Sequence, residues 1–410
     1  MKKKGLLVII DGMADRPVKA LGGKTPLEHG VFPSFNEVAR RGINGLMDPV
    51  APGIAIGSDT SHISILGYDA FKVYRGRGYL EALGEGLPVE DGDICFRVNF
   101  ATVRDGVVID RRAGRIQEGQ AALAQAINEG VKLPGDVKAI FKESTGHRGA
   151  LILRGSGLSE KVTDSDPHLV NERIREVRPL AKEAEFTAYV LNEFIRQSAE
   201  ILSKHEVNIE RARKGLLPAN YLLIRGPGVK PEVESFEHKF GLNGACIAAT
   251  ALVRGVAASL GLKLLKVEGM TGEYNTDELA KARETVKALE KYDFVFTHFK
   301  PTDAASHDGN VNLKLEMLAK ADRMMGYILA NVDLEEVVIC LTADHTTPLE
   351  VREHMGDPVP IAIAGEAVRV DEVNKFNERS CAKGDLGRIR GNELINIMLN
   401  YMNRMEKFGA

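Results

Sequence analysis

The chain has 410 residues, 44% of them hydrophobic and 27% charged, with a formal net charge of -3. That length exceeds a single compact core and points to two domains. The near-neutral balance gives no electrostatic reason to expect nucleic acid or an anionic membrane as partner, and no apolar run is long enough to span a bilayer. Cys95, Cys246, Cys340 and Cys381 are scattered without metal-ligand spacing and read as reduced, mostly buried thiols.

The N-terminus imitates a signal peptide only briefly. Its apolar part runs from Leu6 to Ile10 and Asp11 follows directly, which reads as a buried strand in a cytoplasmic protein. A continuous run of this kind is the pattern of a parallel strand covered on both faces. Asp11 and Gly12 leave its C-terminal end, where open α/β sheets place ligands, although Asp-Gly is equally a turn pair. Pro33–Gly42 predicts a helix, and Gly45–Met47 the start of a strand. The stretch Pro52–Tyr68 follows, a glycine-punctuated loop running into an apolar-periodic segment. Gly53 and Gly57 free the backbone, and Ser58 or Asp59 suits an N-cap. A serine there lies beside unpaired N–H groups and the positive end of a helix dipole, a place that favours a phosphoryl group.

Tyr74–Leu83 is a basic, glycine-rich turn leading into a short helix, and from about Leu87 the texture changes. Asp93–Val103 and Gly106–Asp110 alternate as antiparallel strands around an Arg-Asp-Gly turn. Glu118–Asn128 predicts a helix, the runs from Lys138 and Arg148 further strands, Glu183–His205 a long amphipathic helix and Ala219–Arg225 a strand before Gly226-Pro-Gly228. This α+β stretch interrupts a βα rhythm, so residues 87–238 read as an inserted domain and 1–86 with 239–410 as the core. Beyond it we expect a small-residue helix over Gly244–Leu260, strands at Leu262–Val267, Asp293–Phe299 and Glu336–Thr342, and a last strand at Pro358–Ala364. Helices are expected at Thr276–Lys291, Leu313–Leu329 and Gly391–Met405.

Three strand ends carry candidate ligands: Asp11, then Asp303 with His307, then Asp344 with His345, and His354 follows nearby. Asp303 and His307 are four apart, so one helical turn puts both on one face. Singly, each has a bland reading as a cap, a loop polar group or a solvated histidine. Together they give three carboxylates, three imidazoles and a serine gathered on one sheet edge. That is enough for two divalent cations, and oxygen and nitrogen donors without thiolate suit Mn²⁺, Mg²⁺, Co²⁺ or Zn²⁺.

Asp11-Gly12, Gly57-Ser-Asp-Thr-Ser-His62, Asp303-x-x-x-His307, Asp344-His345 and His354-x-Gly-Asp-Pro resemble the motifs of the alkaline phosphatase superfamily. Within it the chain resembles the cofactor-independent phosphoglycerate mutases of the archaeal-type branch, over essentially its whole length. The resemblance implies an alkaline-phosphatase-like core, a mostly parallel sheet flanked by helices, with an inserted α+β lid domain. It implies Ser58 as a nucleophile that becomes phosphoserine. Asp11, Ser58, Asp344 and His345 would hold one metal, and Asp303, His307 and His354 the other. The activity implied is interconversion of 2- and 3-phosphoglycerate in glycolysis and gluconeogenesis, with no 2,3-bisphosphoglycerate required.

A mutase must keep the glycerate while excluding water, and a closing lid with cations for the carboxylate does that. Arg97, Asp110 to Arg115, His147-Arg148, Asp164 to His168 and Arg225 are the candidates in the insert. We favour Asp110, Arg111, Arg112, Arg115, His147, Arg148 and Arg225, each weighed against a solvated surface residue. In the core, His62 either approaches the substrate or packs, and Lys300 either meets the phosphate or is a surface lysine. The alternative reading is a metal-dependent phosphatase, or a mutase acting on another small phosphorylated substrate. A homo-oligomer is compatible with the sequence.

Overall fold

The structure, a computed structural model, describes residues 2–407 and 409. It divides into two compact units, Met1–Tyr74 with Val233–Ala410, and Arg75–Glu232. The first unit lays down β1 (Lys4–Ile10) and β2 (Gly42–Asp48). The second supplies β3 (Ile94–Arg104), β4 (Val107–Asp110), β5 (Lys138–Glu143), β6 (Arg148–Arg154) and β7 (Tyr221–Gly228). The chain then returns with β8 (Gly244–Ile247), β9 (Lys263–Leu264), β10 (Phe294–Phe299), β11 (Val337–Thr342), β12 (Val359–Ala364) and β13 (Gly387–Arg390).

The first unit is built on an eight-stranded sheet in the order β13-β2-β12-β11-β1-β10-β8-β9. Its ladders are parallel except where β12 meets β11 and β2. β1 runs between β10 and β11, parallel to both, and Leu6 to Ile10 are fully buried, as a strand covered on both faces requires. Because the three strands run the same way, Asp11, Lys300 and Ala343 leave the sheet on one edge. No helix of the described residues is long and apolar enough to cross a membrane, and all four cysteines are buried and unpaired.

Several elements differ from the sequence expectation. The segment Gly244–Leu260 is not one helix. Gly244–Ile247 is β8, paired with β10, and the helix covers only Ala251–Ser259. Four small or apolar residues complete the sheet there, and composition alone did not separate them from the helix that follows. Leu262–Val267 forms ladder bonds only at Lys263 and Leu264, on the sheet edge. Pro358–Ala364 is not the last strand, since β13 pairs with β2 after it. The closing helix spans only Leu394–Tyr401, after a 3-10 turn.

The second unit is a separate antiparallel sheet in which β3 pairs with β4, β6 and β7, and β6 with β5. The helices Gln120–Gly130 and Glu185–Lys204 contribute to its own hydrophobic core, where Leu123 and Ile127 meet Phe194, Leu191 and Phe96. The helix Arg77–Gly84 packs on β3 and β7, so this unit starts at Arg75 rather than 87 and ends at Glu232 rather than 238. β7 also runs on through Gly226-Pro-Gly228, which is strand and not a turn after it.

Candidate functional site

The helix Ser58–Ile65 begins one residue earlier than a serine cap would place it. Gly57 is the N-cap, in extended conformation, and no side chain caps the turn. Ser58 is therefore the first helical residue, its hydroxyl free of capping duty and 3.2 Å from His345 Nε2. Around the same nitrogen stand Asp344 Oδ2 at 3.1 Å and Asp11 Oδ1 at 3.4 Å. Both carboxylate oxygens are buried without a hydrogen-bond partner. Gly12 N donates to the other Asp344 oxygen at 3.1 Å, so the carboxylate is held by backbone from β1's end. Burial opposes ionisation of Asp344, yet the His345 imidazole holds its carboxyl well below the usual range.

The second set is adjacent, with the His345 and His354 rings stacked 3.6 Å apart. Asp303 and His307 lie on the helix Pro301–His307 and face each other as their spacing predicts, with His307 Nε2 3.4 Å from Asp303 Oδ2. His354 Nε2 lies 3.6 Å from Asp303 Oδ1 and 3.2 Å from His307 Nε2. The far nitrogens are spoken for. His307 Nδ1 donates to Arg352 O at 2.7 Å, and His354 Nδ1 to Ile56 O at 2.8 Å. Both Nε2 atoms are thus turned on one another and on a carboxylate, an arrangement that a proton or a cation between them would satisfy. Burial disfavours the Asp303 carboxylate, but Lys300 and the imidazoles keep it well below the usual range. The same carboxylate raises His307, and raises His354 against its burial.

Donor atoms spaced 3.1 to 3.6 Å apart match the neighbours around a cation bound at about 2.0–2.2 Å. Oxygen and imidazole donors of this kind suit a divalent cation, and the orphaned Asp11 and Asp344 oxygens fit one. Ligand atoms of Asp11, Asp344 and His345 lie within 4.8 Å of one another, as do those of Asp303, His345 and His354 and those of His62, His298 and Asp344.

Lys300 is not a surface residue. Its ammonium lies 3.1 Å from Asp11 Oδ2 and bonds Asp303 Oδ2, and these carboxylates hold it above its ordinary range although burial opposes them. His62 takes the packing alternative. It is fully buried, its Nδ1 donates to Ser58 O at 2.5 Å, and burial pushes it down to about 4, so it stays neutral. It braces the backbone of Ser58 from beneath and faces Phe296 and His298.

In the second unit, Arg111 makes a two-pronged bond to the buried Asp166, at 3.0 and 2.6 Å, and Arg225 Nη1 stands 3.7 Å from the same carboxylate. Burial and the Arg77, Arg225 and Arg148 cations push Arg97 down to about 9, while Glu81, 3.2 Å away, opposes them. Burial, with Arg148, Arg112 and Arg225, pushes His147 down to about 4. Arg97, Arg111, Arg112, Arg148 and Arg225 therefore form one basic field, with His147 kept neutral within it. Asp110 instead caps its own turn, accepting from Arg112 N and Gly114 N, and Arg115 is exposed on that turn.

Sequence reasoning did not single out His298, Thr347 or Arg77, and it named Asp166 only within the Asp164 to His168 run, outside the favoured set. His298 Nε2 donates to Asp11 Oδ2 at 2.9 Å from inside β10; a histidine in a fully buried strand was the available signal. Thr347 directly follows the Asp344-His345-Thr346 run, and nothing in its type marks it.

A family model described as 2,3-bisphosphoglycerate-independent phosphoglycerate mutase matches residues 39–208. A protein of that name from Thermococcus kodakarensis is 52% identical over 411 residues, covering 100% of both chains. Among solved structures, a Pyrococcus horikoshii protein aligns at a TM-score of 0.88 and 44% identity, covering 100% of both chains. A cofactor-independent phosphoglycerate mutase from Thermoplasma acidophilum aligns at 0.73 and 36% identity, over 98% of this chain and 100% of that one.

Proposed function

The chain belongs to the 2,3-bisphosphoglycerate-independent phosphoglycerate mutases, which are isomerases, and from that premise we propose that it interconverts 2- and 3-phosphoglycerate through a phosphoserine on Ser58, with two divalent cations and without 2,3-bisphosphoglycerate. The observation that carries this reading is the pair of Asp/His sets meeting at His345 and His354, with the Ser58 hydroxyl against one of them. Asp11, Ser58, Asp344 and His345 are assigned to one cation, and Asp303, His307 and His354 to the other. The cations would favour the ionised serine and neutralise charge on the phosphoryl group in transfer.

The chain's own residues do the rest. Ser58 stands at a helix N-terminus, where unpaired N–H groups favour the phosphoryl oxygens. Its oxygen attacks phosphorus in line, the bond from phosphorus to the glycerate oxygen breaks, and that oxygen takes a proton. The other glycerate hydroxyl then gives up its proton, attacks the phosphoserine and restores Ser58. Lys300, cationic beside Asp11 and Asp303, is the phosphate-side cation we assign. Arg97, Arg111, Arg148 and Arg225 of the inserted unit are assigned to the glycerate carboxylate, a planar anion that guanidinium groups match. His147, kept neutral by burial and its arginine neighbours, is assigned to pass protons among the glycerate oxygens. Water must stay out, since it would take the phosphoryl group.

The test supplies 3-phosphoglycerate and Mn²⁺, omits 2,3-bisphosphoglycerate, and follows 2-phosphoglycerate and inorganic phosphate together. Formation of 2-phosphoglycerate that a chelator abolishes is the expected result. Phosphate release without isomerisation would replace the reading with a metal-dependent phosphatase.

A further inference from the structure

Both ligand sets touch one side chain that neither set includes. Thr347 is fully buried. Its Oγ1 lies 2.9 Å from His345 Nδ1 and 2.9 Å from Asp303 Oδ1. A hydroxyl has one proton, and a carboxylate oxygen only accepts, so that proton goes to Asp303. His345 Nδ1–H must then be the donor to the hydroxyl. The direction of the chain is settled: His345 donates to Thr347, and Thr347 donates to Asp303.

We infer that Thr347 is a positioning residue that ties the two cation sites to each other, an inference that rests on the two-cation reading above. By accepting from Nδ1–H, the hydroxyl fixes the ring so that Nε2 faces Ser58, Asp11 and Asp344. By donating to Asp303 Oδ1, it sets the orientation of the carboxylate that the other set shares. One group thereby couples the ring that serves the nucleophile to the carboxylate that serves the second cation. Its own backbone is clamped to match. Thr347 N donates to Ala14 O at 3.2 Å, and Thr347 O accepts from Lys314 Nζ at 3.2 Å. Lys314 is in turn held by Asp15 at 2.7 Å. Thr346 next door provides the contrast, for its hydroxyl goes to a backbone carbonyl, Asp357 O, at 3.1 Å.

The experiment compares Thr347→Val, Thr347→Ser and Thr346→Val with the unmodified protein. Each is stripped with chelator, titrated with Mn²⁺ by calorimetry, and assayed for kcat and KM with 3-phosphoglycerate. Thr347→Val should weaken Mn²⁺ binding about 10- to 100-fold and lower kcat, with KM nearly unchanged. Thr347→Ser keeps the hydroxyl and should restore both to within about threefold, a margin small beside that loss. Thr346→Val loses an equally buried hydroxyl and should leave Mn²⁺ affinity intact. Unchanged affinity and kcat in Thr347→Val would overturn the inference, as would a serine variant no better than valine, or an equal loss in Thr346→Val. Should the valine protein fail to fold, as judged by its melting curve, Thr347→Ala set against Thr347→Ser decides the question in the same terms. Absence of Mn²⁺ binding in the unmodified protein would overturn the two-cation reading and this inference together. Failure of the variants alone leaves the two-cation reading standing.

Discussion

The two units gather charge in opposite ways. In the core, Asp11, Lys300 and Asp344 each follow within two residues of a buried parallel strand, so backbone pairing aligns them before any side chain is placed. In the insert, Arg97 lies mid-strand in β3, Arg148 opens β6, Arg225 lies in β7, and Arg111 and His147 sit in loops. The arginine side chains are long, and two of them, Arg111 and Arg225, share one buried carboxylate, Asp166. Sheet-edge placement brings short carboxylate and imidazole donors within 3.1 to 3.6 Å of one another, the close positioning that cation binding and in-line transfer require. Long guanidinium groups around a shared carboxylate give a field that can shift as an organic anion enters. On that difference, substitutions in the core should act on cation affinity and kcat, and substitutions in the insert on KM.

The largest effect should come from Ser58→Ala. It removes the phosphoryl acceptor, so turnover should fall on the order of 10³-fold or more, as when a nucleophile is deleted elsewhere. The helix cap is Gly57 and no cap bond is lost, so the circular dichroism spectrum and melting point should hardly move. A mutase that keeps substantial turnover without this hydroxyl does not use it as nucleophile. Next is His307→Ala, which takes one of three donors from the Asp303 set. A loss of about 10²-fold at low Mn²⁺, within the range seen for metal-site variants, should be partly recovered by excess Mn²⁺. Loss that no Mn²⁺ concentration relieves would break the assignment of His307 to a cation.

The same contrast explains how far the sequence could be read. A hydrophobic run ending in Asp or His is visible in one dimension, and a parallel sheet turns such endings into neighbours. Asp11, Asp303 and Asp344 were therefore legible as a group, and the four-residue spacing of Asp303 and His307 anticipated their facing. His298 was not, because it sits inside β10 and reaches Asp11 sideways across the ladder, a relation that depends on register. Thr347 was not, because threonine carries no marker of what its hydroxyl will meet. β8 was lost in a run of small residues that helix and buried strand both accept. In the insert, Asp166 meets Arg111 and Arg225 only once tertiary packing brings them to it, so the sequence offered the cations and the Asp164 to His168 run without their pairing.

Arg97→Ala should have a smaller effect and a different signature. It removes a half-buried cation from the insert's basic field, and KM for phosphoglycerate should rise about 10-fold, as expected for one charge-assisted contact. Mn²⁺ affinity should stay as it was. A variant whose Mn²⁺ binding weakens while KM holds would erase the division of labour drawn above.

Lys281→Met should disturb turnover least and stability in a pH-dependent way. Lys281 is fully buried on the helix Glu278–Lys291, and its ammonium bonds His298 O at 2.6 Å. The other buried lysines of the described residues, Lys3 and Lys314, meet Glu366 and Asp15, whereas no ion pair accompanies Lys281 among the described residues. Burial pushes Lys281 down to about 7 from 10.5, with Cys246 opposing. Between those values the unfolded chain holds the proton and the folded chain has released it, so stability rises with pH across that window and is lost as pH falls through 7. Methionine has no proton to lose, so the slope should flatten. The variant should gain stability on the order of a few kcal/mol at pH 6, shrinking toward pH 10, less whatever the lost bond to His298 O costs. Denaturant melts at pH 6, 8 and 9.5 measure this directly. Parallel curves for the two proteins would mean that the amine stays charged in place, balanced by a neighbour that carries the opposite charge.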